Sequence, residues 1–382
     1  MPRTAQGDLV LQTRHDGDCC IVLGPGCVDS LATYLREIGG HRAYVVTGSS
    51  LSSGGVGKRV REALGTALVG MSASARPHVP VETAEDVAKI ARSLRADVIV
   101  GLGGGSPIGT AKAAAFRLQR DAGAAAGPRC VVAAIPTTYA GSEVTPVFGT
   151  TDAAAGRKEV IRDAGIRPRL ALYDPELAVD TPPELTASTG INALAHCVEG
   201  LYSRDAGDAE RAMAVHAATL LIEHLPQSVA RPTDLLQRYR LFEGSMEAGL
   251  VLTKAGMGVH HGICHVLGGR YNAPHGVLNA IILPHAMRFN LPIATSAYRA
   301  LAPAFGSRIQ HSESPQLAEE VCDAVTQFIR EFGLPSRLRD LGIPKTDLPA
   351  VAEEAMRSQS VQRNPRPLRD AGDALQILEA AW

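Results

Sequence analysis

The sequence is poor in aromatic residues: Phe, Trp and Tyr make up 4% of its 382 positions, and only one of them is tryptophan. The hydrophobic fraction is nevertheless 45%, so aliphatic residues and alanine must supply the interior. A chain of this length exceeds one ordinary hydrophobic core, which favours two domains.

The sequence also lacks an excess of charge and a long apolar run. Its 38 basic and 39 acidic residues give a formal net charge of -1, without a basic stripe, so no nucleic-acid partner is expected. No apolar run reaches the length of a membrane span, and the first ten residues lack the apolar segment of a signal peptide. No membrane partner is therefore expected.

Cysteine is sparse and unpatterned. The seven cysteines are odd in number, form no CxxC pair and include two adjacent residues, which argues against a disulfide framework. A reducing cytoplasm is the expected location.

The first half of the sequence alternates short apolar runs with helical patterns such as 83–96 and 108–120. Each run has the length of a strand and is followed closely by Gly or Pro. This alternation predicts a parallel sheet covered by helices on both faces. The predicted strands are 20–23, 43–46, 97–101, 130–135 and 170–173.

The pattern changes near residue 181, and no strand is predicted after Asp174. We therefore predict an α/β dinucleotide-binding domain with a Rossmann-like parallel sheet over 1–181, and an all-helical domain over 182–382. The helical patterns of the second half cover roughly 184–203, 207–226, 233–255, 257–267, 275–289 and 315–332.

A glycine cluster, Gly103-Gly104-Gly105-Ser106, follows a predicted strand and opens a predicted helix. Glycine lets the backbone approach a pyrophosphate, and a helix N-terminus offers free N–H groups and a positive dipole end. A tight strand-to-helix turn would also need glycine. The context favours a cofactor-binding loop.

A second polar loop follows the next strand and contains Thr137, Thr138 and Ser142. Open α/β sheets bind ligands at the carboxyl ends of their strands, so both loops are expected to face one dinucleotide. An acid after the second strand would bind a ribose hydroxyl and repel a 2′-phosphate, but Gly48 and Ser49 stand there. NADPH is therefore as acceptable as NADH.

Histidines are concentrated in the second half, where five of the twelve lie between 260 and 285. His261 and His265 are one helical turn apart, as are Asn192 and His196. Together with His275, these two pairs can converge on one pocket. His285 is interpreted as an ordinary core histidine.

A metal ion is an alternative use of this pocket. His196, His261 and His275 suit zinc or iron, and an oxygen from residue 192 would complete a site. That residue is Asn192, whose neutral amide offsets no positive charge, so a metal is disfavoured. A polar pocket without a ligand role is the remaining alternative.

Five segments, given at the end of this paragraph, resemble the motifs of the iron-containing alcohol dehydrogenase superfamily in their sequence and order. The resemblance runs from about residue 20 to the C-terminus. The resemblance implies an N-terminal dinucleotide-binding domain, a C-terminal helical domain, an active site in the cleft between them and a homodimer. The segments are GGGSPIGTAK, IPTTYAGSEVTP, DPELAVDTPPELTASTGINALAHCVEGLYS, HGICHVLGGRYNAPHG and LPHAMRFN.

The resemblance also assigns site residues. In metal-using members an Asp and three His hold the ion, and their counterparts here are Asn192, His196, His261 and His275. His265 matches a further active-site histidine.

Several departures from the alcohol dehydrogenase pattern are similar to the maleylacetate reductase branch. They are Gly109 in place of an Asp, the short TTYAGSE loop, Asn192 in place of an Asp, and the segment Asn364-Pro365-Arg366-Pro367. That branch reduces maleylacetate, a small oxo-acid of aromatic compound catabolism, to 3-oxoadipate without requiring a metal. The segment 271–280 instead resembles the metal-using alcohol dehydrogenases.

The resemblance implies that NADH or NADPH delivers hydride to an enone. His196, His261 and His275 would donate hydrogen bonds to the resulting enolate, and His265 would supply the proton. Two alternatives remain open. One is a metal-dependent alcohol or aldehyde dehydrogenase, and the other is a family fold recruited for non-redox biosynthetic chemistry.

Overall fold

The computed structural model describes residues 9–122, 130–152, 157–306, 309 and 316–382. The chain divides into two compact units. The first comprises Met1–Thr181 and Pro232–Phe242, and the second comprises Pro182–Arg231 and Glu243–Trp382.

Strands are confined to the first unit within the described residues. They are β1 (Gln12–Asp16), β2 (Cys19–Leu23), β3 (Ala43–Val46), β4 (Leu68–Ser72), β5 (Val98–Gly103), β6 (Val131–Pro136), β7 (Val147–Asp152), β8 (Arg157–Arg162) and β9 (Leu170–Tyr173).

The helices of the first unit alternate with its strands. They are α1 (Leu31–Glu37), α2 (Ser49–Ser53), α3 (Gly55–Leu64), α4 (Val81–Ser93) and α5 (Gly105–Ala122). The remaining helices follow Pro182, and the long ones correspond to the predicted helical patterns. They are α6 (Pro183–Tyr202), α7 (Asp208–Ala230), α8 (Leu235–Ala255), α9 (Val259–Tyr271), α10 (His275–Phe305), α11 (Leu317–Arg330), α12 (Leu348–Ala355), α13 (Gln359–Gln362) and α14 (Ala371–Ala381).

Seven strands form one sheet in the order β1-β2-β9-β6-β5-β3-β4, and every pairing except β1 with β2 is parallel. The central strands are buried along their whole length, as expected for a sheet covered on both faces. The predicted fold class, a parallel α/β sheet followed by a helical half, is confirmed.

The strands that the sequence did not predict lie at the edges or outside the sheet. β1 is a mostly exposed polar edge strand, and β4 is half-buried throughout. β7 and β8 form a separate two-stranded antiparallel hairpin. None of these four segments has the continuous apolar run that predicts a strand buried on both faces.

The carboxyl end of the sheet brings the two polar loops together. β5 and β6 pair in parallel up to Gly103 opposite Pro136, so the glycine cluster and the Thr137 loop leave the sheet side by side. β3 lies on the other side of β5 and ends at Val46, just before Gly48.

The second unit is a helical bundle whose core includes Val259 and Ile263 of α9, Ile281 of α10 and Ile377 of α14. α10 contacts α6, α9, α11 and α14. Because α6 and α9 carry most of the candidate histidines and α10 begins with His275, packing of these helices around the same core fixes the histidines in the second unit. Among the described residues, no helix has the length and apolarity needed to cross a membrane.

The segment Pro232–Phe242 belongs to the first unit through buried side chains. Arg238 is completely buried and donates from Nη1 to the Tyr139 hydroxyl at 2.9 Å and from Nε to the Pro232 carbonyl at 3.0 Å. The Tyr239 hydroxyl donates to the Val10 carbonyl at 3.0 Å and accepts from Nε2 of Gln12 at 2.6 Å. The segment thereby supports both the Thr137 loop and the edge strand β1.

Candidate functional site

The glycine turn after β5 leaves no room for a side chain. Gly103 has φ 130, a backbone conformation that favours glycine, and a Cβ atom there would lie 3.1 Å from Leu51 and Pro107. A Cβ atom at Gly104 would lie 3.0 Å from Oγ1 of Thr138. α5 then begins at Gly105, so the free N–H groups of its first turn lie at this turn.

The Thr137 loop completes this cradle. The Thr137 N–H donates to the Gly103 carbonyl at 3.1 Å, which joins the two loops directly. The Thr138 side chain is 4% exposed, and its hydroxyl has no hydrogen-bond partner among the described residues. A buried hydroxyl without a partner, beside a glycine turn and a helix N-terminus, fits a phosphate of a dinucleotide.

Lys112 of α5 hydrogen bonds to the second half of this loop, residues 142–147. It is completely buried, and its Nζ donates to the Thr145 carbonyl at 2.7 Å, to the Val147 carbonyl at 3.0 Å and to the Ser142 carbonyl. Burial lowers the pKa of Lys112 to about 7 and raises the pKa of nearby Glu143 to about 7. These two residues form a buried ionisable pair under the candidate cofactor loop.

Four predicted histidines form one cluster in the second unit. The rings of His196 and His261 stack with centroids 4.7 Å apart, and the rings of His265 and His275 stack at 5.5 Å. His261 and His275 link the two stacks at 5.9 Å. His196 and His261 are buried, whereas His265 and His275 are partly exposed. The cluster therefore has a closed end and an end that solvent reaches.

Two imidazoles at the closed end are neutral at physiological pH. Burial, together with the neighbouring histidines, holds the pKa of His196 well below its usual value, and burial lowers the pKa of His260 to about 3. Nδ1 of His196 has no hydrogen-bond partner among the described residues. A neutral imidazole with an unpartnered nitrogen can bind a polar group of a ligand.

The carboxylate of Glu199 is buried beside His261, and the sequence did not predict it as a site residue. His261 lies between it and Asn192, with Nδ1 2.6 Å from Glu199 Oε2 and Nε2 3.3 Å from the Asn192 side-chain oxygen. Asn192, His196 and Glu199 have i, i+4, i+7 spacing on α6, a pattern that could have identified the carboxylate. The structure thus adds Glu199 to the predicted set.

Glu199, His260 and His261 together fit a metal ion poorly. Among the described residues, the one set of three His, Cys, Asp or Glu side chains whose ligand atoms lie within 4.8 Å of one another is Glu199, His260 and His261. The 2.6 Å contact from Glu199 to His261 is shorter than the separation of about 3.3 Å between two ligands of a tetrahedral ion with bonds of about 2.0–2.1 Å. These groups are hydrogen bonded to one another, and Asn192 adds no negative charge.

The segment Asn364-Pro365-Arg366-Pro367 supports the start of α9. Asn364 is buried, and its side-chain oxygen accepts from the Val259 N–H at 3.2 Å. Its amide nitrogen donates to the Arg366 carbonyl at 2.7 Å, while the Arg366 guanidinium lies 4.0 Å from the centre of the Phe289 ring. The segment is therefore a structural support in the second unit for the helix that carries His261 and His265.

Residues 20–175 match the family described as iron-containing alcohol dehydrogenase, and residues 186–382 match the C-terminal part of the Fe-containing alcohol dehydrogenase family. The chain belongs to the iron-containing alcohol dehydrogenase family. The family to which the sequence motifs pointed is thereby confirmed.

Within this family, the chain is similar to maleylacetate reductases. It is 35% identical to maleylacetate reductase 1 of Cupriavidus pinatubonensis over 94% of this chain and 93% of that protein. The crystal structure of maleylacetate reductase from Agrobacterium tumefaciens has a TM-score of 0.81 and 32% identity, with 95% of each chain covered.

A 1,3-propanediol oxidoreductase structure has a TM-score of 0.88 at 29% identity and covers 98% of this chain and 100% of its own. The fold is therefore shared with a 1,3-propanediol oxidoreductase and with a maleylacetate reductase. Membership of this family makes the chain an oxidoreductase, and its sequence is similar to the maleylacetate reductases over most of its length.

Proposed function

We propose that this chain is a maleylacetate reductase, which reduces the carbon–carbon double bond of maleylacetate to give 3-oxoadipate. The similarity to maleylacetate reductases over 94% of the chain supports this substrate. The structural observation that carries the proposal is His196, a buried neutral imidazole whose Nδ1 has no partner among the described residues. With its proton on Nδ1, this ring donates a hydrogen bond to the carbonyl oxygen on which charge develops.

The cofactor is proposed to be NADH or NADPH, bound through Gly103, Gly104, Gly105 and Ser106 and through Thr137, Thr138 and Ser142. The cradle at Gly104 and the unpartnered Thr138 hydroxyl support this assignment. When bound, the nicotinamide supplies the hydride. A Cβ atom at Gly48, where a ribose-binding acid would stand, meets nothing within 4 Å, so a 2′-phosphate is tolerated at this position.

The proton is proposed to come from His265. Hydride adds to the carbon farther from the ketone and breaks the double bond, and the resulting enolate takes a proton on the nearer carbon. His265 is partly exposed and stacks on His275 at 5.5 Å, so solvent can restore its proton. His275 is proposed to orient the substrate beside it. One NAD(P)H and one proton are consumed for each double bond reduced.

The reaction is proposed to proceed without a metal, because Asn192 adds no negative charge and both ring nitrogens of His261 lie within hydrogen-bond distance of Glu199 and Asn192. A metal-dependent alcohol or aldehyde dehydrogenase is the alternative, supported by the similarity in fold to 1,3-propanediol oxidoreductase. The substrate would then be an alcohol, and activity would depend on iron or zinc.

The proposed setting is the cytoplasm, where the chain acts as a homodimer on a small oxo-acid derived from aromatic compounds. The seven cysteines form no CxxC pair and include two adjacent residues, which suits a reducing compartment. No nucleic-acid or membrane partner is proposed. A family fold recruited for non-redox chemistry remains a further alternative, and it would consume no NAD(P)H.

The test is a spectrophotometric assay of NADPH and NADH oxidation with maleylacetate, using protein treated with EDTA and analysed for bound metal. We expect activity without stoichiometric metal. His196→Gln should lower kcat by about 10²–10³, the usual cost of removing one donor to a developing oxyanion. His216→Gln is the matched control, since His216 is exposed and bonded to Glu247 outside the cluster. Metal-dependent turnover of alcohols, with none of maleylacetate, would overturn the proposal.

A further inference from the structure

Glu199 is a buried carboxylate with three donors at one oxygen and a histidine ring nitrogen at the other. Its Oε1 accepts from the Gly258 N–H at 3.0 Å, the His260 N–H at 3.1 Å and the Tyr202 hydroxyl at 3.3 Å. Its Oε2 lies 2.6 Å from Nδ1 of His261. Three donors therefore hold the Glu199 side chain as a hydrogen-bond acceptor beside His261.

His260 supplies a second acceptor at the same atom of His261. Its Nε2 lies 3.2 Å from the Asn279 carbonyl, which can only accept, so the proton of neutral His260 lies on Nε2. Its Nδ1 is then bare and lies 3.1 Å from Nδ1 of His261. Glu199 and His260 thus both require a hydrogen on Nδ1 of His261.

We propose that Glu199 is a positioning residue that fixes the ring proton of His261 on Nδ1 and leaves Nε2 as a hydrogen-bond acceptor. The consequence for catalysis rests on the proposed function, whereas the tautomer itself does not. In this arrangement His261 is not a donor to the substrate oxygen, and that role falls to His196. His261 instead orients Asn192, its neighbour on the other side.

The same arrangement accounts for an amide at residue 192. An acceptor at Nε2 of His261 needs a donor opposite it, and the side chain of Asn192 lies 3.3 Å away. The two ends of an amide are nearly indistinguishable by position alone, and the bare Nε2 selects the orientation in which the Asn192 NH₂ donates. A carboxylate would place a second acceptor against Nε2. Asn192 is therefore the partner that a metal-free His261 requires.

Glu199 also holds the helix that carries His261. Two side-chain oxygens lie against Gly258: a Cβ atom added there would be 3.0 Å from Oε1 of Glu199 and 2.7 Å from Oδ1 of Asn364. The two oxygens accept the Gly258, Val259 and His260 N–H groups at the start of α9. The residue that selects the tautomer thereby also fixes the position of the ring.

Glu199→Gln separates these two roles. The glutamine oxygen can still accept from Gly258 and His260, while its NH₂ group faces Nδ1 of His261 and requires that atom to be bare. We expect the proton of His261 to move to Nε2. Long-range ¹H–¹⁵N spectra of ¹⁵N-histidine-labelled protein report the tautomer, with the signal assigned by its loss in His261→Gln.

With maleylacetate as substrate, Glu199→Gln should lower kcat by between about 10² and 10⁴, since fixing the wrong histidine tautomer has cost roughly 10⁴ in a serine protease. The dissociation constant of NADPH should not change, because the proposed cofactor residues lie in the other unit. Asn364→Ala is the matched control: it removes a hydrogen bond at the same end of α9, so it should lower the melting temperature and leave the tautomer on Nδ1.

The spectra decide the inference independently of the reaction. A bare Nδ1 on His261 in the unmodified protein would overturn it, as would an unchanged tautomer in folded Glu199→Gln. If that variant does not fold, the spectrum of the unmodified protein still decides. Absence of turnover with maleylacetate would reject the proposed function and leave the tautomer result standing.

Discussion

Thr138→Val is expected to have opposite effects on stability and on cofactor binding. The Thr138 hydroxyl is buried and has no hydrogen-bond partner among the described residues. Burying such a group costs about 1–3 kcal/mol, and valine replaces it with a methyl group of similar volume. The free energy of unfolding of the cofactor-free protein should therefore rise by about 1 kcal/mol.

Binding should change in the other direction. A hydrogen bond from a hydroxyl to a charged phosphate contributes about 1.5–3 kcal/mol, and each 1.4 kcal/mol is a factor of ten in the dissociation constant. Loss of this bond in Thr138→Val should raise the dissociation constant of NADPH by between about tenfold and a hundredfold. A Cβ atom added at Gly104 would lie 3.0 Å from Oγ1 of Thr138, so this hydroxyl donor lies directly against the glycine turn.

Two measurements test the pair of effects: urea unfolding without cofactor, and fluorescence titration with NADPH. Ser228→Ala is the control, because Ser228 is also completely buried with an unpartnered hydroxyl but lies on α7 in the second unit. It should leave the NADPH affinity unchanged. Loss of stability in Thr138→Val with unchanged affinity would refute the reasoning, since it would mean that the hydroxyl is paired in the free protein and does not face the cofactor.

Three further predictions concern charge. Burial raises the pKa of Glu143 to about 7, so the folded protein keeps a proton that the unfolded chain releases above about pH 4.5. The free energy of unfolding should therefore fall by on the order of 1–3 kcal/mol as the pH rises from 4.5 to 7. Urea unfolding of Glu143→Gln should lack this fall, and an identical pH profile would contradict it. Gly48→Asp should lower kcat/KM for NADPH at least about tenfold relative to NADH by repelling the 2′-phosphate; an unchanged ratio would show that the ribose lies elsewhere. Asn192→Asp places two acceptors 3.3 Å apart, the spacing of ligands on one ion, so the variant should gain affinity for zinc or iron and reduce maleylacetate more slowly; metal analysis without any gain would contradict this.

The sequence was most informative where one local pattern determines the structure. The buried apolar runs predicted β2, β3, β5, β6 and β9, because a strand covered on both faces needs apolar residues throughout. The histidine spacing predicted that His196, His261, His265 and His275 would come together, and the four rings do form one cluster. Their assignment to catalysis stays a prediction.

Other parts depend on contacts between residues far apart in sequence. β1 has a polar sequence and exists because it pairs with β2. The spacing of Glu199 places it on the helix face of Asn192 and His196, but its hydrogen-bond donors are backbone groups about sixty residues later, which no local pattern reveals. The unpartnered state of the Thr138 hydroxyl is likewise a property of the folded loop. Local patterns identify elements and residue types, whereas partners are decided by tertiary structure.

The segment Pro232–Phe242 has a consequence for the order of synthesis. In the first unit, Arg238 hydrogen bonds to Tyr139, and Tyr239 holds the chain just before β1. Both residues emerge from the ribosome after β1–β9 and after α6 and α7. The sheet therefore cannot reach its final packing when its last strand is complete. A nascent chain stalled just after Thr181 should remain sensitive to protease, and one stalled far enough beyond Phe242 to expose this segment should become resistant. An insertion between α7 and α8 would then impair folding of the first unit, although it lies more than fifty residues beyond the sheet.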